Sequence, residues 1–232
     1  MPKRLLLLAI LGLALVSPVP IRAWQLKGQV LERVPIPPAM HVLLPQTSAD
    51  LDADDSPETL ELVGGHASIR TQAQVRWQSP AAWQVKQAQI ADLNRDGIPE
   101  VVLLVWRPFK PWPVDTWLAN GGRIKDFHDA AGMSCHMILI GWKQGSFGEL
   151  WAGSAMAETV DRFAVANLKG NDRQYLVTLG GNYDDPPSAA SRQLKVWEWN
   201  GFGFSIVNGL EDSFRLLVPV QTDYGRVFIL TD

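Results

Sequence analysis

The chain has 232 residues, a formal charge of −3, ten tryptophans and one cysteine. That length allows one sizeable domain or two small ones, and the mildly acidic balance argues against nucleic acid or an anionic membrane surface as a partner. With Cys135 alone no intramolecular disulfide can form, and a chain this long can bury a sufficient core without one.

Residues 1–23 read as a secretory signal. Lys3 and Arg4 precede an apolar run from Leu5 to Val16, and Pro18 and Pro20 break it before Ala23. That run is shorter than the ~20 residues a helix needs to span a bilayer. Ile21-Arg22-Ala23 is not a clean small-residue cleavage site, so an uncleaved N-terminal anchor is the alternative. Losing Lys3, Arg4 and Arg22 with the signal takes the charge from −3 to −6. The expected location is exported: periplasmic, secreted or cell-surface. Residues 24–57 hold Pro35, Pro37, Pro38 and Pro45, then Asp50, Asp52, Asp54 and Asp55. They read as an extended, solvated linker with one short strand near His41–Leu44, its acidic run being solvated rather than metal-binding.

From about residue 58 the pattern is that of strands. A strand-rich piece, Leu60–Trp77, leads to Ala91–Trp106, ADLNRDGIPEVVLLVW. There Asp92, Asn94 and Asp96 alternate along a turn, so their side-chain oxygens converge, and Gly97 lets the backbone bend behind them. Calcium takes about six to eight oxygen ligands of this kind. The spacing matches the opening of an EF-hand loop, but the twelfth position is Leu103 instead of a glutamate, which excludes that motif. Glu100 comes instead at position nine, directly before Val101–Trp106, an apolar run that predicts a strand covered on both faces. The alternative reading is an Asx-rich turn without metal.

Arg107–Cys135 is long for a strand connection, and long loops on rigid scaffolds often carry function. Trp112 and Trp117 lie among its prolines as candidate contacts for a ligand or partner, with His128 as a third; packing of the two tryptophans over the repeat face is the equal alternative. His128, Asp129, Cys135 and His136 are the residues from which a hydrolytic or transition-metal site would be drawn. Neighbours in a strand face opposite ways, so Cys135 and His136 do not act easily on one atom. No zinc-protease, nucleophile-elbow or phosphate-loop motif occurs in the chain. The favoured expectation is a surface loop with a short helical turn near Ile124–Ala131 and an inert, buried Cys135.

Two further pieces, His136–Phe147 and Leu194–Phe204, read as hairpins with Trp and Phe five residues apart around a Gly-containing turn. Val85–Trp106 aligns without gaps onto Val160–Gly181. Asn167, Lys169, Asn171, Asp172 and Tyr175 then replace Asp92, Asn94, Asp96, Gly97 and Glu100. Ser213–Leu230 is a third copy with a turn too short for calcium. Asn182–Ser191 reads either as a second loop on the same face as 107–135 or as a plain solvated turn, and Gly180-Gly181 as a bend in the chain.

A coordinating loop that runs straight into a strand resembles the calcium loop of the FG-GAP/VCBS repeats, the integrin-type β-propeller blades, whose pattern is D-x-[DN]-x-D-G-x-x-[DE] before a hydrophobic strand. The resemblance implies Ca²⁺ held by the side chains of Asp92, Asn94, Asp96 and Glu100 and by the carbonyl of Ile98. It also implies an all-β, propeller-like array over 58–232, here about three four-stranded repeats forming a small ring or partial propeller. The N-terminal strands are then available to pair with the last unit and cover its edge. The expected function is a non-enzymatic, exported binding or structural module with a protein or glycan partner. The alternative is an exported hydrolase or carbohydrate-acting enzyme using the 107–135 loop.

Overall fold

The computed structural model describes residues 20–72, 74–111 and 126–232, and its regular elements are all strands. In chain order these are β1 (Arg22–Lys27), β2 (Val30–Val34), β3 (His41–Val42), β4 (Ser48–Ala49), β5 (Glu58–Val63) and β6 (His66–Arg70). Next come β7 (Val75–Gln78), β8 (Gln84–Ala91), β9 (Glu100–Pro108), β10 (Met133–Lys143), β11 (Ser146–Ala152) and β12 (Thr159–Ala166). The last are β13 (Tyr175–Gly181), β14 (Ser191–Trp199), β15 (Phe204–Phe214), β16 (Val218–Gln221) and β17 (Val227–Thr231). Among the described residues no helix is long and apolar enough to cross a membrane.

The strands form four antiparallel sheets, in the orders β4-β5-β6-β7, β11-β10-β9-β8, β12-β13-β14-β15 and β2-β1-β17-β16-β3. The expectation of an all-β repeat chain holds, but the number of repeats does not. The described residues form four sheets, three with the four strands of a propeller blade and one with five, where about three repeats were expected. In the first three sheets the strand after the turn is followed by its own hairpin, so the repeating unit there runs turn, strand, hairpin. Leu60–Trp77 therefore belongs with a turn that precedes it, inside the segment expected to be a linker. That segment carries β2, β3 and β4 in addition to this turn.

The sheet built on β16 and β17 is completed by the chain's other end. Ala23 of β1 pairs with Leu230 and Trp24 with Ile229, while β2 pairs with β1. β1 starts at Arg22, inside the expected signal segment, and Ala23 is fully buried. The short strand expected near His41–Leu44 is β3, which joins β16 through Val42 and Val220.

Two compact units can be distinguished, and β12 and β13 contribute residues to both. Gln46–Arg162 with Gly180–Ala189 form one. Its core joins Leu51, Leu60 and Ile69 to Val101, Leu103, Val105, Ile138 and Ile140. β9 lies between β8 and β10, and Val101–Val105 are all fully buried, as an unbroken apolar run predicts. The described residues up to Pro45, Phe163–Leu179 and Ala190–Asp232 form the other unit, around Tyr175, Val177, Leu194, Val196, Phe214 and Ile229.

Both expected hairpins form. Trp142 pairs with Phe147 across a two-residue turn in which Gln144 and Gly145 have φ of 52° and 86°, the left-handed values that suit a tight hairpin. Trp199 pairs with Phe204, and the two ring pairs meet edge to face at 4.9 and 5.3 Å between centroids. Gly180 is not a bend: it lies in β13, where a Cβ would stand 2.1 Å from the Thr159 carbonyl oxygen. Gly180→Ala should therefore destabilise the fold by about 1–3 kcal/mol through overpacking. Gly148→Ala, with no atom within 4 Å of the added carbon, is the control. Denaturant midpoints of the two variants check this, and equal midpoints would refute the close approach.

Candidate metal centre

The turn between β8 and β9 is built around Asp92. Its Oδ1 accepts the Arg95 N–H at 2.7 Å and its Oδ2 accepts the Gly97 N–H at 3.2 Å. Arg95 and Gly97 both have left-handed backbone, with φ of 67° and 90°. Leu93 is fully buried and anchors the turn to the core, while its N–H donates to Glu100 Oε2 at 3.2 Å. Asp96 Oδ1 accepts the Ile98 N–H at 2.9 Å. The result brings oxygens of Asp92, Asp96 and Glu100 within 4.8 Å of one another.

Of the five ligands that the resemblance implies, three side chains thus converge. Asn94 is turned to Asp96: its Oδ1 accepts the Asp96 N–H and its Nδ2 donates to Asp96 Oδ2, both at 2.9 Å. Ile98 lies in the turn with its side chain exposed.

Glu100 carries the chemistry. It is 1 % exposed, and its Oε1 has no hydrogen-bond partner. Burial pushes its carboxyl up to about 8; the Leu93 N–H bond works against this, and the charges of Asp96 and Asp92 add to it. A buried carboxylate oxygen without a donor, facing two further carboxylates, is unfavourable unless a proton or a cation joins them. All the donors are hard oxygens, which suits calcium or magnesium better than a soft transition metal.

Sequence reasoning missed a second turn of the same construction, between β4 and β5. Asp50-Leu51-Asp52-Ala53-Asp54-Asp55-Ser56-Pro57-Glu58 matches Asp92–Glu100 at its first, second, fifth, eighth and ninth positions. Ala53 and Asp55 are left-handed at φ 59° and 66°, where Arg95 and Gly97 are. The Leu51 N–H donates to Glu58 Oε2 at 3.0 Å, the Asp55 N–H to Asp50 Oδ2 at 2.9 Å, and the Ser56 N–H to Asp54 Oδ1 at 2.9 Å. Oxygens of Asp50, Asp52 and Glu58 lie within 4.8 Å of one another. The D-L-x-x-D-x-x-P-E pattern was the available signal.

The third turn, Asn167–Tyr175, keeps the backbone but not the charges. Gly170 and Asp172 are the left-handed residues, and the Asn171 N–H reaches Asn167 Oδ1 at 3.2 Å. Tyr175 fills the buried ninth position, with the Lys169 Nζ 5.3 Å from its ring centre. The fourth turn is short, closed by the Gly225 N–H on the Thr222 carbonyl at 2.9 Å.

Among the described residues of the long loop, His128, Asp129 and Cys135 form no common cluster. Trp112 and Trp117 lie outside the described residues. His128 is half-buried, its Nδ1 donating to the Asp129 carbonyl at 2.8 Å and its ring packing on Phe109. Asp129 Oδ1 accepts the N–H groups of Ala131 and Met133, so it closes the turn into β10, and no helical turn forms over 126–131. Cys135 is fully buried; burial pushes its thiol up to about 12, which makes it inert. Tyr183, missed in the sequence, accepts the Cys135 N–H and donates to the Met156 carbonyl, at 3.1 and 2.8 Å.

Comparison with known proteins gives no match: no family model, curated protein or solved structure matches this chain.

His136 is 5 % exposed. Its Nδ1 donates to the Gly153 carbonyl at 3.0 Å and its Nε2 accepts from Ser134 Oγ at 2.7 Å. Burial holds its pKa down to about 4; the Gly153 bond opposes this and the Arg107 charge adds to it. Between pH 4 and 6.5 the unfolded chain therefore binds a proton here that the folded chain does not. Stability from this residue should be complete above pH 6.5 and lost as pH falls towards 4, by up to about 3 kcal/mol. Comparing the pH dependence of unfolding free energy in wild type and His136→Gln isolates that slope. Parallel curves would show that His136 is not held neutral.

Proposed function

We propose that this protein is an exported, non-enzymatic β-repeat module in which Ca²⁺ clamps the Asp92–Glu100 turn, and that it acts by binding a protein or glycan partner. The observation that carries the metal reading is the buried, unpartnered Oε1 of Glu100 beside Asp92 and Asp96. A divalent cation there neutralises carboxylates that otherwise repel, and links the turn to the first residue of β9. In the ligated turn the amide oxygen of Asn94 and the Ile98 carbonyl would complete the oxygen set, as in the FG-GAP/VCBS loops that the sequence resembles.

The binding role is favoured over hydrolysis by what the alternative residues do. Asp129, Cys135 and His136 are each engaged in holding β10 and its entry turn. Large exposed aromatics instead stand at turns, Phe202 between β14 and β15 and Tyr224 between β16 and β17, where contact with a partner would give them a use.

Thermal melts in EDTA, then with Ca²⁺ or Mg²⁺, test the clamp. Calcium at a hundredfold over its Kd should add about 2.7 kcal/mol, a rise of about 5–10 °C for a chain of this size, and magnesium should add less. Asp96→Ala should lose the share this turn contributes. An undiminished shift in that variant would rule out the ligand set.

A second outcome separates a metal site from an Asx turn. In EDTA at pH 8, Glu100→Gln should be as stable as wild type or more so by about 1 kcal/mol, since it removes a buried charge and keeps an acceptor for the Leu93 N–H. In saturating calcium the order should reverse. The same ranking in both conditions would leave the turn without a metal role.

A further inference from the structure

The acidic turn between β4 and β5 has no assigned role, and its composition alone would mark it as a solvated linker. Its geometry is different. Glu58 is fully buried, and its Oε2 accepts the Leu51 N–H while its Oε1 has no partner. The Asp52 side chain is only 4 % exposed: its Oδ2 takes the Arg76 guanidinium at 3.3 Å, and its Oδ1 also has no partner. Two buried carboxylate oxygens without donors therefore sit in one small cluster with Asp50.

Water or a neighbouring N–H normally satisfies such atoms, and leaving them bare is costly. Arg76 offsets one charge, and it is itself held by ring contacts, its Cζ lying 5.1 Å from the Trp142 ring centre and 5.7 Å from that of Phe147. It supplies a single positive charge against the carboxylates of Asp50, Asp52, Asp54 and Glu58. By gripping one oxygen of Asp52 it also fixes the direction of the other, as a hydrogen-bonded group behind a metal ligand does.

We propose that Asp50–Glu58 is a second divalent-cation site of the hard-oxygen, calcium-accepting kind, with Asp50, Asp52, Asp54 and Glu58 as side-chain ligands and Arg76 as the positioning residue behind Asp52. The site is independent of the Asp92–Glu100 turn, since the two share no residue. It differs in having a carboxylate, Asp52, where the other has the amide of Asn94. The extra negative charge favours a divalent ion, and Arg76 partly offsets it.

Equilibrium dialysis of the full chain against radioactive calcium, after stripping with EDTA, counts the sites. Wild type should bind two ions per chain, Glu58→Gln one and Glu100→Gln one. Wild-type stoichiometry retained in Glu58→Gln overturns this site. Wild-type stoichiometry retained in Glu100→Gln overturns the Asp92–Glu100 clamp, so the two readings fail separately. If Glu58→Gln does not fold, as judged by its melt in EDTA, Asp54→Asn serves instead. Asp54 is exposed, and the amide keeps an acceptor for the Ser56 N–H. That variant should weaken one class of site tenfold or more while the other is unchanged, and two unaltered sites would overturn the proposal.

Discussion

A carboxylate buried at the first residue of a strand organises this chain. Glu58 and Glu100 each stand where a turn enters a sheet, and each receives the N–H of the leucine at the second position of its turn. That leucine is itself buried, so one bond joins the turn's start to its end over a fixed apolar anchor. The left-handed residues at the fourth and sixth positions then follow from the path the backbone must take between those two points. The other glutamate oxygen has no donor in either turn. An unpartnered buried carboxylate is among the least favourable groups a fold can hold, and it occurs here twice in matching positions.

The same backbone path persists where the charge does not. At the third turn the buried ninth position is Tyr175, whose ring fills the volume without a charge to neutralise. Lys169 at the third position lies against that ring, where the other two turns have Asp52 and Asn94. The left-handed pair Gly170 and Asp172 is retained. The path of the turn is thus a property of the fold, and the acidic clusters that could hold a cation are added by side chains such as Asp92, Asp96 and Glu100. Sharing a scaffold does not require sharing a ligand.

Much of the fold was legible wherever a strand is buried on both faces or a hairpin carries a strong turn. Val101–Val105 show the first, and Trp142–Phe147 and Trp199–Phe204 the second. The offset between Asp92 and Asn167 also held, since β8 and β12 begin at corresponding positions. The first repeat was hidden for a physical reason. β5 buries Glu58 and Leu60 but exposes Thr59, Glu61, Leu62 and Val63, so no continuous apolar run follows its turn. Its turn also has Asp55 where glycine would signal a left-handed residue, a conformation that aspartate tolerates. β3 and β4 have two residues each, too few for any periodicity to appear. At the candidate site the convergence of Asp92 and Asp96 followed from spacing, and that of Glu100 only from the family resemblance. The engagement of Asn94 by Asp96 did not, because spacing is silent about which local hydrogen bond an amide will choose.

The sheet that joins the chain's two ends answers a different constraint. β17 is buried at every position, and without β1 it would present an apolar strand with a row of unpaired N–H and C=O groups, which invites pairing with another chain. β1 occupies that edge, and the fastening is polar as well as apolar. Arg22 forms an ion pair with Asp212 and donates through Nε to the Asp232 carbonyl, 210 residues away, at 3.0 Å. Trp24 Nε1 donates to Thr231 Oγ1 at 2.9 Å, and Asp232 Oδ1 accepts the N–H groups of Arg215 and Leu216. Closing so long a stretch of chain carries a large entropic cost and slows folding relative to local hairpins. The polar groups gathered at this seam hold it once formed, whereas the other three sheets draw their strands from neighbouring sequence and need no such fastening.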